Sequence, residues 1–162
     1  MSEKIIAVDF DGTLVTHKFP EIGDEVPGAF EWLKQFQAAG AKLILWTIRS
    51  NTYQEDAIRY CLLHGVEFWA INAHPGQETW SRSPKAYAHI YIDDAAFGCP
   101  LVDHHAPRCF ADMKRYEEQL PCTCNERPYA DWDVIGPEVM LWLQNDDRFD
   151  RSIHPLREGE VP

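Results

Sequence analysis

Asp9 and Asp11 stand one residue apart at the end of the run Ile5-Ile6-Ala7-Val8. A short, continuously apolar run suits a strand buried on both faces, and alternate residues of an extended chain share a face. Two carboxylates brought together in that way repel each other unless a cation or a proton sits between them. Gly12 supplies a turn and Thr13 a hydroxyl directly after. An Asx-turn or helix cap would be the purely structural use of such a pair. Comparable chemistry recurs along the chain: Thr47 ends Lys42-Leu43-Ile44-Leu45-Trp46, Arg49 follows it, and Asp93-Asp94 end His89-Ile90-Tyr91-Ile92. Lys85 lies between those last two segments.

These side chains need elements to position them. Leu14 to Phe19 is β-prone and predicts a hairpin flap over the end of the first strand, and the Pro- and Gly-punctuated stretch 20–28 predicts a loop. Phe30, Leu33 and Phe36 recur at helical spacing, so a helix is expected over 29–39, with Pro27 in its first turn and Gly40 ending it. A second helix is expected from Asn51, as its cap, to His64, with Ala57, Ile58, Cys61 and Leu62 facing inward. Val66–Ile71 reads as a third strand, 72–83 as loop, and 89–94 as a fourth strand. Alternating strands and helices imply right-handed βαβ units and a mainly parallel sheet, with helices on both faces in a three-layer, Rossmann-like α/β fold. Ligands of such sheets bind beyond the carboxyl ends of the strands. Asp9, Thr47 and Asp93 all occupy such ends.

Further on, 95–107 and 121–128 read as loops, 111–120 as a helix and 132–143 as an amphipathic segment. Residues 1–145 are expected to form one domain, followed by a charged, proline-bearing tail over 146–162.

The formal net charge of −11 disfavours non-specific contact with nucleic acid or an anionic membrane. It leaves room for a small phosphorylated substrate whose charge a metal neutralises locally. No apolar run approaches the length of a membrane span and no secretory signal precedes the first strand, so a cytoplasmic protein with reduced thiols is expected from its five cysteines.

The ordered set resembles the four motifs of the haloacid dehalogenase-like hydrolase superfamily: Asp9-Phe10-Asp11-Gly12-Thr13 after a strand, Thr47 ending the next, Lys85, and a strand ending in Asp93-Asp94. Trp46 to Ser50 and Pro84 to Ala95 resemble a small group of members without caps. The resemblance implies a Mg²⁺-dependent phosphatase working through an aspartyl-phosphate. It makes Asp9 the nucleophile and Asp11 the general acid/base, whose backbone carbonyl also helps hold Mg²⁺. Asp93 and Asp94 complete the metal site, Thr47 bonds a phosphoryl oxygen, and Lys85 neutralises charge shared by Asp9 and the phosphoryl group. Arg49 could add a bidentate phosphate contact; a solvent-facing arginine is the structural alternative.

Superfamily caps are inserted either between the first and second motifs or between the second and third. Neither Asp9–Thr47 nor Thr47–Lys85 leaves room for one, so no large cap domain and an open site are expected. An open site suits a substrate that brings its own bulk, or a homo-oligomer whose neighbour covers the cleft. Trp80, Tyr87 and His74-Pro75-Gly76 could line the entrance, although packing is the ordinary use of such aromatics.

Asp11 disfavours a dehalogenase, which has no leaving alkoxide to protonate, and the short inserts disfavour a mutase. A non-catalytic phospholigand-binding protein of the same fold, or a nucleic-acid or nucleotide end phosphatase, are the competing readings. His104, His105, Cys109, Cys122 and Cys124 are of types that suit Zn²⁺. Their spacing departs from paired knuckles, and loop thiols and surface histidines are the expected reading.

Overall fold

The computed structural model describes residues 3–102 and 127–145. Four strands, β1 (Ile5–Val8), β2 (Lys42–Leu45), β3 (Ala70–Ile71) and β4 (Ile90–Ile92), form one parallel sheet in the order β3-β2-β1-β4. The fold is therefore the expected α/β, Rossmann-like arrangement. The register pairs Ile5 with Lys42 and Ile6 with Ile90, which brings the carboxyl ends of β1, β2 and β4 level with one another.

Alternation along β1 divides the apolar core in two. Ile6 and Val8, with Leu43, Leu45 and Ile92, pack against α1 (Ala29–Ala38), α2 (Asn51–Leu63) and α3 (Trp132–Gln144). The helices contribute Phe30, Leu33 and Phe36, then Ala57 and Cys61, then Trp132, Ile135 and Val139. Burial on this scale is the main source of cohesion, at about 1.5–3 kcal/mol for each large side chain fully removed from water. Ile5, Ala7 and Ile44 face the other way and are covered by Ala88 with Trp46, Trp69, Tyr87 and Tyr91. Helices were expected on both faces. Among the described residues, all three helices serve the first face, and the chain from Trp69 to Tyr91, with a 3-10 turn at Gln77–Thr79, covers the second.

Several local expectations are revised. Pro27 lies outside α1, which starts at Ala29 after Gly28 turns the chain at φ 79°. Asn51 opens α2 at φ 52° and its side chain makes no cap; Ser50 holds the cap position. Leu62 is half exposed, because the apolar stripe of α2 narrows to Ala57 and Cys61 with Ile58 packed alongside. The third strand shrinks to two residues at the sheet edge. Two short strands pair antiparallel, β5 (Leu101–Val102), inside the stretch expected to be loop, and β6 (Tyr129–Ala130), for which no element was expected.

The flap is held by isolated bridges, Asp11 with Val15 and Val15 with Glu25, and it buries Leu14 and Val15 completely. Its base is tied to α3 and β6: the Trp132 indole Nε1 donates to the Thr13 carbonyl at 2.8 Å, and Ala130 N donates to the Gly12 carbonyl at 2.8 Å. Burial pushes the Cys61 thiol up to about 12, so it stays protonated and inert in the core, and both Cys61 and Cys99 are free thiols. No helix among the described residues is long and apolar enough to cross a membrane. The expected helix 111–120, most of the 121–128 loop, the tail 146–162 and the group His104, His105, Cys109, Cys122 and Cys124 lie outside the described residues.

Candidate active site

Asp9 leaves β1 with its backbone N bonded to the Ile92 carbonyl at 2.9 Å, so the ladder between β1 and β4 runs on into the site. That pairing sets Asp9 beside Asp93 and Asp94. One carboxylate oxygen from each of the three lies within 4.8 Å of the others, and all three residues are half-buried. Burial, followed by the charges of Asp93 and Asp94, pushes the Asp9 carboxyl up to about 7, against the opposing pull of the Phe10 backbone amide and the Thr13 hydroxyl. An oxygen-only cluster of three acids is of the kind that could hold a hard divalent cation.

Thr13 ties the cluster together. Its Oγ1 donates to Asp9 Oδ2 at 3.2 Å and accepts from Asp94 N at 3.1 Å. His17, from the flap, reaches Asp94 Oδ2 with Nε2 at 2.9 Å. Ala95 N donates to Asp93 Oδ1 at 2.9 Å. Gly12 must be glycine. Its φ is 89°, and an added Cβ would overlap the His17 ring and stand 2.6 Å from Asp94 Oδ2. Gly12→Ala is therefore expected to cost about 2 kcal/mol in backbone strain and displaced neighbours, roughly 4–8 °C in Tm, and to weaken Mg²⁺ binding by moving Asp94. Thermal melts with and without Mg²⁺ check both effects.

Thr47 lies two residues past β2, and its backbone N–H and carbonyl are both held by one side-chain amide. Asn72 Oδ1 accepts from Thr47 N at 2.8 Å, and Asn72 Nδ2 donates to Thr47 O at 2.7 Å. The Thr47 hydroxyl oxygen accepts from Arg49 N at 3.1 Å, which leaves its own proton available to a substrate oxygen.

The other expected residues are placed differently. The Asp11 carboxylate is not one of the three clustered acids; it meets Arg49, with Nε to Oδ2 at 2.7 Å and Nη2 to Oδ1 at 2.6 Å. Arg49 is buried, and Nη1 and Nη2 also bond the Pro20 and Glu21 carbonyls at 3.0 and 2.7 Å. Both edges of its fork are spent, so Arg49 makes no bidentate phosphate contact in this arrangement. It is also far from the solvent-facing arginine that was the alternative. Lys85 is exposed, with its ammonium 5.1 Å from the centre of the Tyr91 ring; no hydrogen bond or ion pair joins it to Asp9 among the described residues. His74, Trp80 and Tyr87 pack edge to face on one another, at 5.9–6.2 Å between ring centres.

Sequence reasoning gave no role to His17 or Asn72. His17 had a faint signal, as a polar side chain in an otherwise β-prone flap. Asn72 had none beyond standing at the end of an apolar run.

No family model and no curated protein matches this chain. A solved structure described as a conserved protein from Bacteroides thetaiotaomicron is similar to it, at 36% identity over 74% of this chain and 94% of that one, with a TM-score of 0.57. Identity at that level over nearly the whole of the other protein reaches beyond shared architecture, and the chain belongs to the same family as that conserved Bacteroides protein.

Proposed function

We infer that the chain is a Mg²⁺-dependent phosphomonoester hydrolase of the haloacid dehalogenase-like type, acting through an aspartyl-phosphate on Asp9. The observation that carries this reading is the meeting of Asp9, Asp93 and Asp94 at the carboxyl ends of adjacent parallel strands, with the Asp9 carboxyl pushed up to about 7. A carboxylate raised by burial and like charge is a candidate functional group.

Asp9, Asp93 and Asp94 would hold the ion, and the resemblance adds the Asp11 backbone carbonyl. Bound there, Mg²⁺ offsets the repulsion between an anionic nucleophile and an anionic phosphoryl group. An Asp9 oxygen forms a bond to phosphorus as the ester P–O bond breaks, and Asp11 gives a proton to the departing oxygen. Asp11 then takes a proton from water, whose oxygen attacks phosphorus and frees Asp9 and inorganic phosphate. The Thr47 hydroxyl donates to a phosphoryl oxygen throughout. The resemblance assigns Lys85 to the charge shared by Asp9 and the phosphoryl group; in the resting arrangement its exposed ammonium lies 5.1 Å from the Tyr91 ring centre.

The substrate is a small phosphomonoester, and the open site accommodates either one with bulk of its own or a neighbouring copy of the chain. The acidic balance and the absence of a membrane-spanning helix among the described residues fit a protein of the cytoplasm.

The test is phosphate release with Mg²⁺ across nucleotides, sugar phosphates and phosphopeptides, with Asp9→Asn as blank. Turnover of some member, lost on chelation and in the blank, supports the reading. No turnover and a flat Mg²⁺ titration would favour a phospholigand-binding protein of the same fold, and turnover confined to nucleic-acid ends would favour the end-processing alternative.

A further inference from the structure

The Arg49 guanidinium has five N–H donors, and four of them are engaged: two on Asp11, one on Pro20 O and one on Glu21 O. Its backbone is fixed as well, with N on Thr47 Oγ1 at 3.1 Å and O accepting from Gln54 Nε2 at 3.2 Å. The Phe10 and Phe19 ring centres each lie 5.1 Å from the guanidinium carbon, and Phe19 leans edge-on against Tyr53 at 5.4 Å. A buried cation with this many bonds cannot turn without breaking several of them, and it holds both oxygens of one carboxylate. Two parallel bonds fix the plane of that carboxylate, which a point charge would not.

We propose that Arg49 is a positioning residue: its fork holds the Asp11 carboxylate in the plane from which it serves the leaving oxygen, using the carbonyls of Pro20 and Glu21, directly after the flap, as the reference. The proposal rests on the phosphatase reading and assigns Arg49 no contact with phosphate. The chain directly after the flap thereby acquires a function, since the direction of the acid/base follows the place of residues 20–21.

Leaving-group dependence separates this role from the alternatives. An alkyl phosphate has a strongly basic leaving oxygen and needs a proton; nitrophenyl phosphate has a weakly basic one and needs little help. Arg49→Lys keeps the charge and removes the fork. In single-turnover cleavage it is expected to lose roughly 100-fold on an alkyl phosphate and only about threefold on nitrophenyl phosphate. The inhibition constant of inorganic phosphate should stay within about twofold, since a residue that does not touch phosphate does not alter its binding. In an Asp11→Ala background, Arg49→Lys should add no further loss, because its only route to the chemistry has gone.

Equal losses on both esters, weaker inhibition by phosphate, or additive losses in the double variant would each overturn the proposal. Should Arg49→Lys fail to fold, Phe19→Ala, at an exposed position, carries the same test. It loosens the flap over the guanidinium and should lose about fivefold on the alkyl ester alone. A uniform effect, or none, goes against the positioning role. Phosphate release by the unmutated chain with a uniform loss in the variants removes this proposal and leaves the phosphatase reading intact. No release from any ester by the unmutated chain removes both.

Discussion

Asp9→Asn is expected to lower the rate of ester cleavage at least about 10⁴-fold and, at pH 8 without Mg²⁺, to raise the melting temperature. Both halves follow from one environment. An amide oxygen is a poor nucleophile and its phosphoryl adduct has no stable form, so the covalent step is lost outright. The stability gain comes from what the carboxylate endures. Its pKa in the folded chain is pushed from 3.8 to about 7, first by burial and then by Asp93 and Asp94. At pH 8 the group is ionised in both folded and unfolded chains, so the folded chain bears the full cost of that charge. At 1.36 kcal/mol per unit the shift corresponds to at most about 4 kcal/mol, and partial solvation of a half-buried group reduces it to about 2 kcal/mol.

Asparagine has no charge to bury, while its carbonyl can still accept from the Thr13 hydroxyl that now bonds Asp9 Oδ2. A gain of roughly 4–8 °C is expected for a chain of this size. Differential scanning fluorimetry and single-turnover kinetics on the same preparations check the two halves together. An inactive but less stable variant would mean that the three acids are not in conflict; an active one would remove Asp9 from the chemistry.

The parts of this site that were legible in the sequence are those fixed by strand ends. Apolar runs and their final residues placed Asp9 and Asp93 at strand ends, where ligands of a parallel sheet bind. The joining of Asp9 with Asp93 and Asp94 in one cluster was implied by the motif resemblance and depends on the pairing of β1 with β4. The helix stripe Phe30, Leu33 and Phe36 was legible for a similar reason, because 3.6-residue spacing is a local signal. Arg49 was not. Its type announces a partner that accepts two parallel bonds, and a phosphate and a carboxylate satisfy that equally; only the approach of Asp11 and the Pro20 and Glu21 carbonyls decides between them.

Lys85 depends on how the chain from Asn72 to Ala88 folds back over the second face of the sheet. That course is set by non-periodic contacts, such as the Gln77 side chain bonding the Ser83 and Lys85 carbonyls at 3.0 and 2.8 Å. β5 and β6 are two residues each and too far apart in sequence for any periodicity to pair them. His17 shows the same limit at the cluster itself. Its contact with Asp94 is set by the flap's two bridges, and a single histidine in a β-prone segment does not say which way it will point.

Mg²⁺ affinity is expected to fall about tenfold for each pH unit below about 7 and to level off above it. In the metal-free folded chain the Asp9 carboxyl holds its proton up to about 7, whereas the unfolded chain releases it near 3.8. A folded-state pKa raised in this way means that Asp9 favours folding fully below about 3.8, and that this contribution is lost as pH rises through about 7. The cation binds the ionised form, so below about 7 it must displace a proton, and its apparent Kd rises by one decade per unit. Between pH 8 and pH 5 the expected change is roughly 100-fold, measured by calorimetric titration in a series of buffers. The two linkages oppose each other. Acid relieves the strain at Asp9 and stabilises the metal-free protein, while the cation relieves the same strain at alkaline pH. The gain in Tm from a fixed Mg²⁺ concentration should therefore be larger at pH 8 than at pH 6. Asp9→Asn removes the proton for which the metal competes, so its weaker binding should lose the one-decade slope between pH 5 and 7. A slope that persists in that variant would assign the displaced proton to Asp93 or Asp94 instead.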